Sequence, residues 1–300
     1  MPRTSLHDWL LLSYLSIFWG LAFLLIALAL DLFLPVTVVW IRLSLGALVM
    51  LCVMRAKGVR LPRGMAWWRR LTLLSLTGNV LPFCLIAWSE LTVPSSEVGL
   101  LMALMPLTIL VLGHFFIDQE PFTKTRLIGV VIGFAGVVTV MGLDLATMMS
   151  SHKLPGQLAA ILATLCYAVN AILTKRLPPA ESVGLTAGTL LCGAIILAPF
   201  ALWLQPEWSF GTHQTAVVAV LVLGVFATGF ATWAYFEVVA ARGPGFLSSI
   251  NYLIPFVAFF AGILFLGEPA KTAHFIALLM ILLGVRLIQP RKSAEVKAFE

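Results

Sequence analysis

The chain has 300 residues, 61% of them apolar and only 11% charged, with a mean hydropathy of +1.03. A soluble domain is typically about half apolar and a quarter charged, so this composition excludes a water-soluble enzyme or binding module and makes lipid the solvent. The net charge of +6 does not point to nucleic acid, because the basic residues gather in short segments between apolar runs.

A helix needs about 20 apolar residues to cross the hydrocarbon core. Runs of that kind predict helices near 9–30, 35–54, 69–90, 95–116 and 125–142, then near 155–174, 183–204, 214–239, 245–267 and 272–289. Turn and charge signals separate them, among them Pro178-Pro179, Arg242-Gly-Pro-Gly245 and Gly267-Glu-Pro269. In the first helix Ala27-Leu-Ala29 resembles a signal-peptidase site, but the apolar stretch outruns a signal core and one basic residue, Arg3, precedes it. It therefore reads as a membrane helix.

Helix 1 carries Trp19 beside Gly20, and helix 2 carries Arg42 with no acidic residue in the same helix. Helix 3 places Ser75, Asn79, Phe83, Ile86 and Glu90 on one face, with Gly78 and Pro82 beside it. Pro82 removes a backbone hydrogen bond, so a kink with an amide next to it is expected there. Helix 4 offers Met102 near Met105 and Pro106, and helix 6 offers Tyr167 and Asn170 on one stripe. Helix 8 contributes Trp233 and Glu237, and helix 9 contributes Ser248, Asn251, Tyr252 and Pro255. The small-residue pairs Gly129–Gly133 and Gly184–Gly188 are expected at close helix crossings. Cys52, Cys84, Cys166 and Cys192 lie inside apolar runs without a CxxC pair, so packing is their expected role.

With the N-terminus inside, sixteen of the nineteen Lys and Arg residues fall on the inner side. Only Lys153 and Lys271 fall outside, and Arg42 lies within a helix. That asymmetry predicts a multi-pass protein of a bacterial inner membrane with both termini in the cytoplasm. Stretches about 148 residues apart also match: Pro106 and Glu120-Pro121 with Pro255 and Glu268-Pro269, Gly136 with Gly284, Glu90 with Glu237, and Trp19-Gly20 with Tyr167-Ala168. Each half then holds five helices. An odd number per repeat inserts the second copy upside down, the arrangement by which many secondary transporters alternate access. The predicted divisions are 1–148 and 149–289, followed by a cytoplasmic tail at 290–300. A duplicated static scaffold or a channel is the competing reading.

Phe18-Trp19-Gly20, Arg42-Leu-Ser-Leu-Gly46 and the repeated proline with Glu-Pro resemble the EamA-type members of the drug/metabolite transporter superfamily across essentially the full chain. Within it the nearest likeness is to the bacterial aromatic amino-acid and paraquat exporter branch. The resemblance implies an all-α integral membrane protein in which ten transmembrane helices, as two inverted repeats, surround a central cavity lined by helices 1, 3, 4, 6, 8 and 9. It also implies export of amino acids and related metabolites. On that lining, the expected substrate-binding residues are Trp19, Asn79, Phe83, Met102, Tyr167, Asn170, Trp233, Asn251 and Tyr252. Arg42, Pro82, Glu90, Pro106, Glu237 and Pro255 are expected in structural or gating roles. Arg42 in particular sits in a helix outside the implied lining and reads as structure rather than as an anchor for a substrate carboxylate.

All thirteen acidic residues fall at helix ends, in loops or in tails, and there is no HExxH or GxSxG, so an intramembrane enzyme is a remote alternative. A lone Arg42 argues against sugar phosphates. The expectation is therefore a transporter of amino acids or their analogues that uses no cofactor or metal, has the bilayer as its partner and works as a monomer. Drugs, nucleosides or other metabolites are the alternative cargo.

Overall fold

The computed structural model describes residues 5–116, 123–142, 152–178, 180–205, 213–247 and 249–289. The Glu120-Pro121 pair, Ser248 and the tail 290–300 lie outside these residues. Among the described residues every regular element is helical. Eight apolar helices are long enough to cross a membrane: α1 (Leu6–Leu30), α2 (Pro35–Ala56), α3 (Met65–Ser89), α4 (Ser95–Phe116), α5 (Lys124–Met141), α6 (Leu154–Lys175), α7 (Ser182–Leu204) and α8 (Gln214–Arg242, with helical backbone continuing to Leu247). Two shorter apolar helices follow, α9 (Ile250–Leu266) and α10 (Thr272–Ile288), of 17 residues each. At 1.5 Å per residue these reach about 26 Å, the short end of what a bilayer core requires.

The helix starts follow from local chemistry. Ser5 opens α1 by accepting from the Asp8 backbone N–H at 3.3 Å while the Asp8 carboxylate accepts from the Ser5 N–H at 2.7 Å, a reciprocal cap. Pro35 and Pro155 stand in the first turns of α2 and α6, where a missing N–H has no intrahelical partner to lose. Gly267 ends α9 in the left-handed region at φ 66°, which only a residue without Cβ adopts readily. The Arg242-Gly-Pro-Gly245 break does not end α8, which runs on to Leu247. A helix close to lipid persists through such residues because its freed backbone groups have no water to turn to.

α5 packs along α10 and α2 along α7; α1 packs on α8 and α9, α6 on α3 and α4, and α4 on α9. Small residues set the closest approaches. A Cβ built on Gly284 would stand 2.6 Å from the Gly129 carbonyl oxygen, so the α5–α10 crossing is backbone against backbone. Large apolar side chains such as Trp203, Phe115, Leu264 and Leu279 are exposed on the outside of the bundle. In water that surface would associate; in a bilayer it is the lipid-facing belt.

Candidate functional site

Two helices leave the α-helical path inside the bundle. α3 widens to a π-helical turn at Leu76–Val80, and α8 does the same at Val225–Phe230. In α3 the cause is local: Pro82 has no N–H for the Gly78 carbonyl, and Leu81 N–H instead reaches back five residues to Leu76 O. The kink expected at Pro82 is therefore a π turn just before it. In α8 there is no proline at the turn. The Thr228 hydroxyl donates to the Leu223 carbonyl at 2.9 Å and takes up an acceptor that the widened turn frees.

Both turns face a cavity of about 550 Å³ inside the bundle. Trp19, Asn79, Phe83, Met102, Tyr167, Asn170 and Asn251 line it, together with Pro106 and Pro255. Trp233 and Tyr252, expected in the lining, are not part of it. Trp233 is partly buried against both apolar clusters of the interior and Tyr252 against the larger one. The inward face of α8 runs Thr228, Thr232 and Tyr235, and that of α9 runs Asn251, Ile254 and Pro255. One residue off such a face is about 100° round the helix. The aromatic that α8 presents is therefore Tyr235.

The lining is also wider than the six helices implied by the family resemblance. α7 contributes Thr186 and Leu190, and α2 contributes Arg42. Arg42 is 6% exposed. Its Nε donates to Thr228 Oγ1 at 2.8 Å, and its Cζ lies 3.7 Å from the centroid of the Phe83 ring. Close approach makes this possible: Gly46 faces Thr228 so tightly that a Cβ there would lie 2.7 Å from the threonine methyl. The position of Arg42 corrects its reading as a residue outside the cavity. A signal existed in the sequence, a cation at bilayer depth, but nothing local shows which way α2 is turned.

Asn170 uses its amide nitrogen on the other π turn, donating to Leu74 O and to Thr77 Oγ1, both at 3.0 Å. Asn79 on α3 and Asn251 on α9 also line the cavity. Among the lining residues Arg42 alone carries a formal charge; the rest are apolar, aromatic, hydroxyl or amide groups. Such a wall suits a small amphipathic solute.

The two ends of the bundle differ. At the end holding the α3–α4 turn, part-buried contacts cross the bundle. Glu268, from the α9–α10 turn, accepts from Ser95 N–H at 2.7 Å, Ser95 O–H at 2.9 Å and Ser96 N–H at 2.9 Å. It therefore caps the N-terminus of α4 rather than that of its neighbour α10. Glu97, 2% exposed, meets Lys153 Nζ at 3.0 Å and His274 Nε2 at 3.6 Å. Glu90 is no ordinary helix-end charge: both carboxylate oxygens are buried with no hydrogen-bond partner among the described residues. At the opposite end Arg242 Nε donates to Asp8 at 2.7 Å, and Glu237 pairs with Lys57 on a more open surface. The cavity wall reaches that second end through Leu247 and Ile250, and stops short of the first at Ile86 and Gly99. Among the described residues no group of three His, Cys, Asp or Glu side chains is placed to hold a metal.

The model of the EamA-like transporter family matches this chain twice, over residues 9–142 and 154–289. An uncharacterized transporter of Archaeoglobus fulgidus is 25% identical over 294 residues, which cover 94% of this chain and 99% of that protein. Protein PecM of Dickeya dadantii is 27% identical, with 74% and 73% covered, and protein PagO of Salmonella typhimurium is 24% identical, with 93% and 91% covered. One crystal structure superposes with a TM-score of 0.67 at 20% identity and covers 98% of both chains, which speaks to the fold alone.

Proposed function

The chain belongs to the EamA-like transporter family, and from that premise we propose that it is a secondary carrier that exports amino acids and related small metabolites by alternating access through the central cavity. The observation that carries this is a cavity of about 550 Å³ with a largely uncharged, aromatic and amide-bearing wall, which extends to one end of the bundle and stops short of the other, where Glu268 and Glu97 join separate helices.

Two features support a pair of inverted repeats, 1–148 and 149–289. The family model matches each part separately. The helix pairings also keep their pattern when every helix is exchanged for the one five places along: α1 on α9 becomes α6 on α4, and α1 on α8 becomes α6 on α3. The two π turns obey the same exchange. The positive-inside count puts the open end in the cytoplasm, together with both termini. In this reading, Glu97, Lys153, His274, Glu268 and Ser95 form the outer seal. Transport separates α4 from α9 there and closes the inner end in turn, with Pro106 and Pro255 as the points of flexure. The protein acts as a carrier rather than an enzyme, in a bacterial inner membrane and as a monomer.

Purified protein in proteoliposomes should take up labelled phenylalanine, threonine or methionine saturably. Folded protein that takes up none of them overturns the amino-acid cargo. Bridging cysteines placed at Ser95 and Glu268, which join α4 to the end of α9, with a short bifunctional reagent should stop uptake, and uptake that continues overturns the opening of that end.

A further inference from the structure

Arg42 is one of very few charges inside the bundle, and its surroundings are asymmetric. One side of the guanidinium is fixed by the Nε bond to Thr228 Oγ1, and one face lies on the Phe83 ring. The Thr228 hydroxyl gives its own proton to Leu223 O, so it receives from Arg42 in a single orientation. These contacts use one of five N–H donors. The terminal nitrogens have no partner among the described residues, although Arg42 lines the cavity.

A buried guanidinium ordinarily sits against a carboxylate. Glu90 lies near enough to feel the charge of Arg42, yet its oxygens make no hydrogen bond and it forms no ion pair with it. No Asp or Glu lines the cavity. The cavity thus holds one positive charge with a planar, preoriented pair of donors on its edge, the geometry that receives a carboxylate in two parallel bonds.

We propose that Arg42 is the docking point for a carboxylate on the carried solute, and that the carrier therefore selects small monocarboxylic acids with an apolar tail, with or without an amino group. This rests on the cavity being the solute site, and it narrows the cargo. An ammonium group meets no carboxylate in the wall, only neutral amides and hydroxyls such as those of Asn79, Asn251 and Thr232. The tail lies against Phe23, Ile26 and Met102. The α-amino group of an amino acid is thus tolerated rather than required.

The test compares four probes on the full-length protein in detergent by displacement of labelled phenylalanine, or of labelled phenylpyruvate where the amino acid does not bind. Phenylalanine and phenylpyruvate are expected to bind within about tenfold of each other, and phenylalaninamide and phenethylamine at least roughly tenfold more weakly, the difference one charge-assisted pair makes. Arg42→Gln should weaken the acids roughly 10–100-fold and leave the two amines unchanged, while Arg42→Lys retains part of the acid affinity. Amines that bind as tightly as the acids overturn the proposal, and so does a folded Arg42→Gln protein with unchanged acid affinity. Should Arg42→Gln fail to fold, the four-probe series on the parent protein decides alone. Failure of both acids to bind also overturns it, and proteoliposome uptake of uncharged solutes then shows whether the carrier reading survives.

Discussion

The π turn of α3 and the π turn of α8 are the same backbone irregularity in two helices five places apart, yet they are held differently. The α3 turn is tied by a neutral amide: Asn170 donates to Leu74 O and Thr77 Oγ1 and so spends both of its N–H groups on protein. The α8 turn is tied by a cation: Arg42 donates one of five N–H groups to Thr228 and keeps the others at the cavity edge. The Tyr14 hydroxyl adds a third tie, donating to the Phe226 carbonyl at 3.0 Å. A widened turn exposes backbone and needs a side chain to satisfy it. Where an amide serves, the turn is architecture; where an arginine serves, the same brace also delivers charge to the cavity.

The comparison breaks most readily at Asn170. Asn170→Ala removes two hydrogen bonds to α3 and should lower stability by about 1–2 kcal/mol, read as a fall in thermal midpoint in detergent, with solute affinity changed less than threefold. An affinity loss larger than the stability loss would make Asn170 a binding residue, as the sequence suggested, and erase the contrast. Next comes Thr228→Val, which removes the hydroxyl shared by Arg42 and Leu223. It should reduce stability by about 1 kcal/mol and also loosen Arg42, so that acid affinity falls roughly fivefold. Unchanged affinity would mean that Arg42 needs no fixed orientation.

Gly78→Ala sharpens the α3 side. Its Cβ would arrive 2.6 Å from the Asn170 amide nitrogen and displace it. The expected loss is about 1 kcal/mol, and in a double-mutant cycle with Asn170→Ala most of it should vanish, because both changes undo one contact. Full additivity would show that the glycine serves something else. Tyr14→Phe should have the smallest effect, below about 0.5 kcal/mol, since its bond to Phe226 is solvent- or headgroup-exposed. A larger loss would make Tyr14, rather than Arg42, the principal brace of the α8 turn.

Much of this protein is written in its sequence because lipid imposes one strong rule: each crossing must be a helix of about 20 apolar residues. Composition therefore yields the helices, and the α4–α9 prolines and the family resemblance follow from residues that can be read in line. Cavity-lining residues on α1, α3, α4 and α6 were legible for a related reason: polar or aromatic groups such as Trp19, Asn79 and Tyr167 stand out at bilayer depth. Three things were not legible, and each depends on rotation or on distance in the chain. Trp233 and Tyr252 lie beside the cavity wall rather than in it while Tyr235 lines it, because a helix's rotation is set by neighbours rather than by its own period. Arg42 enters the cavity because Gly46 lets α2 approach Thr228, a residue 186 positions away. Glu268 caps α4 across 173 positions, and Glu97 meets Lys153 and His274 from two other helices. Solvent, helix placement and the kind of side chain at each depth are readable in line, since those depend on residues close in the chain. Tertiary structure alone decided which side chains meet, because helix packing brings distant residues to hydrogen-bond range and hydropathy carries no record of that pairing.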